Sequence, residues 1–243
     1  MSERAARDDK QQVRELVWAL LEHERAVGFP GAKGRIPNFV GAGDAAERLS
    51  ALPEWHRTAA MKSNPDMPQL PVRARALAEG RRVYMAVPKL VEDDLFRLLD
   101  PPRLTTPPRK AASIKGSEAE GIPTPLDELD HLDLVVCGTV AVNRVGVRVG
   151  KGGGFSDLEL ALCIEQGAVD DNTVIVTTVH DLQVLDEKLP ETEHDFRVDI
   201  VVTPTEVIRC PRVPRPSGVL WDHLDDDKIA AIPALRSRGQ AKG

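Results

Sequence analysis

The chain has 243 residues, of which 42% are hydrophobic, enough to bury the core of one large α/β domain or of two small ones. Its formal net charge of −6 argues against binding of nucleic acid through a bulk basic surface, and its three cysteines, without a CxxC pair, argue against a structural zinc site. No apolar run approaches the length of a membrane span and the start lacks a signal-peptide pattern, so we expect a cytoplasmic protein without a membrane partner.

The first half of the chain alternates predicted helices and strands. Asp8 or Asp9 is expected to cap a first helix. Apolar residues follow at helical spacing: Val13, Leu16, Val17, Leu20 and Leu21. After a loop rich in glycine and proline (GFPGAKGRIPN), Asp44 and Glu47 match a capping box for a short helix. RTAAMKS predicts a short strand, PQLPVRARALAEG a helix that a glycine ends, and RRVYMAVP a further strand.

The second half predicts a mostly parallel sheet. Between Pro101 and Pro125, six prolines and a weak apolar pattern predict a long, mobile loop with room for short elements. Three apolar runs follow, LDLVVCGTVAV, TVIVTTV and VDIVVTP, each typical of a strand that is covered on both faces. Helical segments lie between them, which favours helices on both faces of the sheet. After Cys210 the periodicity ends, and we expect the remaining tail to pack loosely.

Four glycines lie within five positions at a junction between a strand and a helix, in RVGKGGGFSDLELA. Ser156 and Glu159 match a capping box, which predicts a helix that begins at Ser156. Glycines before a helix N-terminus expose main-chain N–H groups to the positive end of the helix dipole, and together these attract an anion. Lys151 would add a charge for phosphate, and Asp157 suits such a site if it shares a Mg²⁺ ion with the phosphate.

Other interpretations of these residues compete with phosphate binding. A glycine-rich turn that binds nothing is the first alternative, because Phe155 stands where a dinucleotide fingerprint needs glycine and the Walker pattern is missing. The pairs His180–Asp181 and His194–Asp195 suggest catalytic dyads, but neighbours in sequence seldom face each other. Ser156 lacks the G-x-S-x-G context of a hydrolase nucleophile.

Several segments, taken in order, are similar to one known family. DKQQVRELV stands where that family has its opening helix, VGVRVGKGGGFSDLELA where it has its glycine signature, and LPETEHDFRVDIVVTPTEVI where it has its closing segment. These segments resemble the 5-formyltetrahydrofolate cyclo-ligase (methenyltetrahydrofolate synthetase) family. GRIPNFVGAGDAAERL and KSNPDMPQLPVRARALAEGRRVYMAVPKL look most like its divergent branch, the methenyltetrahydrofolate synthetase domain-containing proteins. We therefore expect a cyclo-ligase-like α/β domain over residues 1–210 and a proline-rich tail over residues 211–243.

The resemblance implies a three-layer α/β/α fold with a mostly parallel, Rossmann-like sheet of the CoA-transferase-like type. It also implies a ring closure that depends on ATP and Mg²⁺. The formyl oxygen of 5-formyltetrahydrofolate is phosphorylated, N-10 attacks the activated carbon, and 5,10-methenyltetrahydrofolate, ADP and phosphate are released. The resemblance implies that the protein binds a reduced folate and ATP, and that it is a monomer or a homodimer. Phosphoryl transfer depends on positioning and charge neutralisation.

The same resemblance assigns roles to single residues. Lys10 would contact the ATP phosphates and Arg14 would lie between ATP and folate, whereas a solvated basic helix face is the alternative. Asp66, followed by Gln69, is the match to the family's folate-binding acid. Two carboxylates would bind magnesium: Asp157 and Asp195. The catalytic set is Lys10, Arg14 and Lys151. The ATP-binding set follows the glycines: Arg148, Gly150, Lys151, Gly152, Gly153, Gly154, Phe155 and Ser156.

The chain departs from the family pattern at several positions. Phe155 and Ser156 replace two tyrosines, Leu158 stands where many members have arginine, and the threonine near Asp66 is missing. These departures motivate a second hypothesis, a nucleotide- or phosphate-binding paralogue without cyclo-ligase activity, with a suggested link of one branch to thiamine metabolism. A third is a sugar-phosphate enzyme. Residues interpreted as packing or loop structure rather than ligand contacts are Trp18, Trp55, Trp221, Arg35, Asn38, Lys62 and Arg73.

Overall fold

Two β-sheets organise the fold. The computed structural model describes residues 3–90, 92 and 94–240. Strands within these residues are, in chain order, β1 (Ala60–Ser63), β2 (Arg82–Ala86), β3 (Phe96–Leu99), β4 (Ile122–Thr124), β5 (Leu134–Cys137), β6 (Ala141–Asn143), β7 (Arg148–Val149), β8 (Val174–Thr178), β9 (Val184–Leu185), β10 (Ile200–Val202) and β11 (Val207–Arg209).

The helices surround these sheets. In chain order they are α1 (Glu3–His23), α2 (Ala42–Ser50), α3 (Pro53–Arg57), α4 (Leu70–Ala78), α5 (Pro108–Ala111), α6 (Ile114–Glu120), α7 (Phe155–Glu165), α8 (Asp226–Ala231) and α9 (Pro233–Gln240). Within the described ranges, none of the helices combines the length and the apolar character needed to cross a lipid bilayer.

The larger sheet has eight strands in the order β11-β10-β8-β5-β1-β2-β3-β4. Five of them, β10, β8, β5, β1 and β2, run parallel to their neighbours within this group. β11 joins one side, and β3 and β4 the other, in antiparallel orientation. Parallel strands are buried on both faces, which is why β5 (LVVC) is a continuous apolar run. The predicted mostly parallel sheet is confirmed.

Helices cover both faces of this sheet. Side chains alternate along each strand, so neighbouring residues of β5 lie in cores on opposite faces. Leu134 and Val136 of β5 belong to a core that α2, α4 and α5 close. Val135 and Cys137 belong to a core on the opposite face, which α7 and α9 close. The expected three-layer α/β/α, Rossmann-like architecture is therefore observed.

A smaller sheet, with strand order β7-β6-β9, packs against α1. Val17 and Leu21 of α1 are fully buried in one cluster with Val149 of β7. The prediction of one strand over LDLVVCGTVAV is wrong, because this run forms β5 in the larger sheet and β6 in the smaller sheet. The chain leaves the larger sheet at Gly138, where an added Cβ would lie 2.9 Å from Asp66 Oδ2.

Both predicted capping boxes are wrong. α2 begins after Gly41, so Asp44 lies inside its first turn instead of at its cap. α7 begins one residue earlier than expected, after Gly154, and Glu159 is buried. In both helices a glycine with a left-handed backbone, φ 87° and 65° respectively, occupies the position before the first turn.

The first helix is longer than the sequence pattern indicated. It begins at Glu3, so neither Asp8 nor Asp9 caps it. Leu16, a member of the predicted apolar stripe, is 62% exposed. Val17 and Leu21 of the predicted stripe are buried, and with spacings of three and four residues they continue a row that includes two buried cations, Lys10 and Arg14.

Two regions contain more regular structure than expected. Between Pro101 and Pro125, short elements occupy most of the predicted loop, namely α5, α6 and the edge strand β4. Beyond residue 210 the chain forms α8 and α9, and Ile232 and Leu235 are buried in the core beside α7. The expected loose packing of the tail is therefore wrong, because its apolar side chains complete the core on that face.

Candidate functional site

A cleft of about 950 Å³ opens where the parallel strands β1, β2 and β5 end. Open α/β sheets bind ligands at the carboxyl ends of their strands. The lining comes from α1, from the segments after these strands, from the glycine loop (residues 150–154) and from two later segments, residues 194–195 and 218–228. All the site residues predicted from the sequence line this cleft: Lys10, Arg14, Asp66, Arg148, Gly150, Lys151, Gly152, Gly153, Gly154, Phe155, Ser156, Asp157 and Asp195.

The glycine loop connects β7 to α7 through a backbone that side chains would obstruct. Gly152 and Gly154 have φ values of 108° and 65°, which residues with a Cβ rarely adopt. A Cβ on Gly153 would lie 2.7 Å from the ring of Phe155, and a Cβ on Gly152 would lie 3.4 Å from Arg14 Cζ. The loop brings main-chain N–H groups to the N-terminus of α7, where the helix dipole adds positive charge. This geometry suits an anion such as a phosphate.

Lys10 and Arg14 reach the cleft from the buried face of α1. Lys10 forms an ion pair with Asp195, and Arg14 Nε donates a hydrogen bond of 2.7 Å to the carbonyl oxygen of Gly150. Their side chains belong to residues that are 9% and 8% exposed, so the alternative of a solvated basic face is wrong. Arg14 thereby holds the start of the glycine loop in place.

The environment of the cleft shifts the pKa values of Asp195 and Arg14. Burial raises the pKa of the Asp195 carboxyl, but hydrogen bonding and attraction from Lys10, with the N–H of Thr192 at 2.6 Å, outweigh burial and hold that pKa below its ordinary value. Burial lowers the pKa of Arg14, and the charge of Asp195 opposes this shift. The cleft therefore carries an ordered set of fixed charges at neutral pH.

Arg148 lies beneath the glycine loop and binds the first turn of α7. Its Nη2 donates to Asp157 Oδ1 over 2.8 Å, and its guanidinium carbon lies 4.0 Å from the ring centre of Phe196. Burial acts to lower the pKa of Arg148, but the charges of Asp157 and Asp195 outweigh burial and raise it. Arg148 thus holds Asp157 and the ring of Phe196 together below the loop.

Asp66 and Lys151 meet at the start of the glycine loop, at the end opposite to α7. Lys151 Nζ lies 3.4 Å from Asp66 Oδ1, and half of the Lys151 side chain is exposed to the cleft or solvent. The segment that carries Asp66 is shaped by Arg73, which donates to the carbonyl oxygens of Asn64 at 2.6 Å and of Asp66 at 3.1 Å. Burial lowers the pKa of Arg73 to about 10. The interpretation of Arg73 as loop structure is confirmed.

A buried polar network forms the floor of the cleft, and the sequence pattern did not reveal it. Lys62 of β1 forms an ion pair with Glu159 of α7, and Asn64 Nδ2 donates to the same carboxylate over 2.9 Å. Asn64 Oδ1 accepts hydrogen bonds from Gly138 N at 3.1 Å and from Ser156 Oγ at 3.3 Å. The network fastens the ends of β1 and β5 to α7, so it fixes the position of the glycine loop.

The two His–Asp pairs differ in their contacts. His180 Nδ1 accepts a hydrogen bond from Leu182 N at 3.1 Å, while Asp181 accepts one from Thr203 Oγ1 at 2.5 Å. His194 lies in the cleft with its Nδ1 3.1 Å from His223 Nδ1, and its Nε2 is 4.0 Å from the carboxylate of the adjacent aspartate.

The comparison that decides the family covers most of the chain. The model of the 5-formyltetrahydrofolate cyclo-ligase family matches residues 6–204, which include α1, the glycine loop and the floor of the cleft. The chain belongs to the 5-formyltetrahydrofolate cyclo-ligase family. The family resemblance expected from the sequence is thus confirmed.

Proteins similar to this cyclo-ligase family member include long relatives and a bacterial enzyme. Methenyltetrahydrofolate synthase domain-containing proteins of Mus musculus and Homo sapiens are each 39% identical, over 236 and 244 residues, and cover 94% and 98% of this chain. The chain spans 62% and 63% of the length of these relatives. The 5-formyltetrahydrofolate cyclo-ligase of Escherichia coli is 39% identical over 79 residues, 32% of this chain and 40% of that protein.

A solved structure supports the fold of the family member. The NMR structure of Aquifex aeolicus 5,10-methenyltetrahydrofolate synthetase aligns with a TM-score of 0.54 and 20% identity, over 90% of this chain and 99% of that chain. At this identity the likeness concerns the architecture, and it agrees with the three-layer arrangement described above.

The carboxylates that the cyclo-ligase resemblance assigns to magnesium both line the cleft, but each already binds a cation. Asp157 binds Arg148, and Asp195 binds Lys10. In the described part of the chain, no group of three or more His, Cys, Asp and Glu side chains is arranged to hold a metal ion. Mg²⁺ usually takes one or two carboxylates together with water and substrate phosphates, so two aspartates are a donor set of the kind that suits this ion.

Proposed function

We propose that this protein uses Mg-ATP to convert 5-formyltetrahydrofolate to 5,10-methenyltetrahydrofolate, with release of ADP and phosphate. The observation that carries the proposal is the meeting of Lys10, Arg14, the glycine loop and Asp66 in one cleft at the ends of the parallel strands. A volume of about 950 Å³ lies at the upper end of the range for small-molecule sites. Such a volume is compatible with a nucleotide phosphate chain beside a second substrate.

The glycine loop supplies the phosphate end of the proposed site. Its main-chain N–H groups and the N-terminus of α7 would bind phosphate oxygens, and Lys151 would add a charge at the start of the loop. Lys10 lies beside Asp195, so its ammonium is held at a fixed position. Positioned charges of this kind stabilise the transferred phosphoryl group without reorganising during the reaction.

The side of the cleft at Asp66, next to the start of the glycine loop, suits the folate. Asp66 has one carboxylate oxygen near Lys151 and the other close to Gly138. A carboxylate in this place can accept hydrogen bonds from the N–H groups of a pterin ring. Arg14, which donates to the carbonyl oxygen of Gly150 beside Lys151, would align the formyl group with the phosphate chain. Close alignment of the two reactants lowers the entropy cost of the transfer.

Asp157 and Asp195 would hold the magnesium ion. When it is bound, the ion neutralises charge on the phosphate oxygens. The ion pairs with Arg148 and Lys10 keep both carboxylates ordered at the cleft wall.

The test is direct. The purified protein is mixed with Mg-ATP and 5-formyltetrahydrofolate, and the methenyl chromophore is followed in the near ultraviolet. We expect its appearance to require both substrates and Mg²⁺. Failure of the protein to bind Mg-ATP, or to bind the folate, in calorimetric titrations would contradict the proposal.

One observation favours a second candidate, a nucleotide-binding paralogue without ring closure. Phe155 carries no hydroxyl, and the hydroxyl of Ser156 donates to Asn64 Oδ1 in the floor of the cleft. The two tyrosine hydroxyls expected in the family therefore have no equivalent directed at the substrates. Binding of Mg-ATP without formation of the methenyl product would support this candidate over the first.

A further inference from the structure

The family match ends at residue 204, yet a later segment forms part of the cleft wall. This segment, residues 218–228, contributes Gly218, Val219, Leu220, His223, Leu224, Asp225 and Lys228 to the lining. The glycine signature and the family resemblance assign no role to these residues.

The segment is fixed to α7 by specific contacts. Val219 N donates to Glu165 Oε1 over 3.1 Å, and Gly218 packs so closely that an added Cβ would lie 2.6 Å from Glu165 Cγ. Behind it, Ile232 and Leu235 are 1% and 0% exposed. The segment is therefore a structural wall of the cleft and its position is set by the core.

Lys228 extends from this wall to the end of the glycine loop. Its Nζ lies 3.3 Å from the carbonyl oxygen of Gly153 and 5.7 Å from the ring centre of Phe155. A Cβ on Gly154 would lie 2.9 Å from the same Nζ. The carboxylate of Asp225 accepts a hydrogen bond from Lys228 N at 2.7 Å, which fixes the first turn of α8 and thereby the direction of the side chain.

The surroundings of Lys228 favour an anionic ligand. Burial lowers the pKa of its amine, Asp225 and Asp157 oppose this shift, and the nearby charge of Arg7 adds to it. An amine that has lost part of its hydration gains more from a phosphate oxygen than a fully solvated amine does. The hydrogen bond from Lys228 Nζ to the carbonyl oxygen of Gly153 is long, at 3.3 Å. A shorter, charge-assisted bond to a phosphate oxygen can therefore replace it.

We propose that Lys228, from the segment beyond the family match, binds the polyphosphate of the nucleotide at the end of the glycine loop, with Lys151 at its start. The inference rests on the proposed function, because it assigns a further residue to the same phosphate site. It adds that this site is incomplete without α8.

The experiment compares variants of the full chain by calorimetric titration with Mg-ATP and, separately, with 5-formyltetrahydrofolate. Lys228→Met removes the charge and keeps most of the stem, and Lys228→Arg keeps the charge. Arg236→Met removes an exposed charge on α9 and serves as the matched control. We expect Lys228→Met to weaken Mg-ATP binding about tenfold, with Lys228→Arg and the control within about threefold of the wild type. Affinity for the folate should stay within about twofold in all three variants.

Each alternative result has a distinct meaning. If the wild type binds Mg-ATP and Lys228→Met binds it equally well, the inference about Lys228 is overturned and the proposed function stands. If the wild type binds no Mg-ATP, both are overturned. If Lys228→Arg is as weak as Lys228→Met and both variants melt at lower temperature, the residue is structural and the inference is again overturned.

Discussion

Lys62 and Glu159 form an ion pair under the glycine loop in which the side chains are 1% and 4% exposed. Both charges have lost their hydration, so each depends on the other for compensation, and Glu159 also accepts a hydrogen bond from Asn64. The pair joins β1 to α7, and α7 carries the end of the phosphate site. A change in either residue therefore affects the stability of the fold before it affects any ligand.

We predict that Lys62→Met destabilises the protein by about 3–5 kcal/mol, because it leaves the Glu159 carboxylate buried without its cation. Urea denaturation at neutral pH measures the change. The double variant Lys62→Met with Glu159→Leu should recover a substantial part of this loss, since no uncompensated charge remains. Strictly additive effects of the two substitutions would show that the side chains are not coupled.

A second prediction concerns Lys151, whose side chain is half exposed. Lys151→Ala should weaken Mg-ATP binding by about 1–2 kcal/mol, because an exposed charge-assisted contact lies at the lower end of its usual range. Stability should change little. Lys115→Ala, which removes an exposed charge on α6, is the control for net charge. Equal nucleotide affinities of the two variants in a calorimetric titration would contradict the role of Lys151.

The positions of site residues were predictable from the family resemblance, and contacts between distant partners were not. The resemblance predicted that Arg14, Lys151 and Asp157 belong to one site, and all three line the same cleft. Glu159, in contrast, matched a local capping pattern, but its partner Lys62 is 97 positions away. No pattern within a single helix can indicate such a partner.

Among the elements, the glycine loop and the first turn of α7 depend on backbone angles that glycine allows. Gly154→Ala should cost about 1–2 kcal/mol of stability, because alanine is strained at a φ of 65°. The same substitution places a Cβ near Lys228 and should also weaken Mg-ATP binding. Gly80→Ala is a matched control, with a φ of 81° and open space around the Cβ. It should lose similar stability and leave nucleotide affinity unchanged; a loss of affinity in both variants would refute a local effect of Gly154.

The C-terminal helices provide a prediction about the core. Leu235 of α9 is 0% exposed and belongs to the cluster beside α7, so Leu235→Ala should destabilise the protein by about 2–5 kcal/mol. The exposed neighbour Arg236→Ala should change stability by less than about 0.5 kcal/mol. A near-zero effect of Leu235→Ala on the denaturation midpoint would mean that the tail packs loosely after all.

Elements with continuous apolar patterns were predicted well, as β8 and β10 show. The run LDLVVCGTVAV was different, because its apolar character continues across Gly138 although the chain passes into a second sheet there. The tail was misjudged for a related reason. Its apolar residues, Val219, Ile232 and Leu235, are too sparse to show periodicity, yet together they complete a core that the sheet and α7 had already formed.

At the scale of the whole molecule, carboxylates held by ion pairs or hydrogen bonds predict that the fold loses stability in acid. Interactions with Lys10 and Thr192 hold the pKa of Asp195 below its ordinary value despite burial, and Thr203 and Thr205 do the same for Asp181. A lowered folded-state pKa means that the unfolded chain takes up protons first as pH falls. The stabilisation is therefore complete above the ordinary aspartate pKa of about 4 and is lost as pH falls towards the lowered values.

We predict that the free energy of unfolding decreases steeply below about pH 4 and that Asp195→Asn flattens this decrease. Urea midpoints measured between pH 7 and pH 3 provide the test. Asp171→Asn, at an exposed carboxylate, is the control and should follow the wild type. A wild-type profile with the same slope as that of Asp195→Asn would show that Asp195 makes no contribution.

The site as a whole draws on the full length of the chain, from Lys10 in α1 to Lys228 in α8. The family resemblance indicated members of this set from Lys10 to Asp195, but it did not indicate residues 218–228. The contribution of residues 218–228 depends on how the tail returns to α7, and composition alone carries no sign of this return. The site is therefore a property of the completed fold.

The larger sheet ends at β4, where Pro123 occupies the central position of the outermost strand. Proline has no amide hydrogen, and a three-residue strand presents few groups to which another chain could add. This border discourages sheet extension between neighbouring molecules. It gives the protein built-in resistance to fibril-like self-association at the end of the sheet that lies farthest from β11.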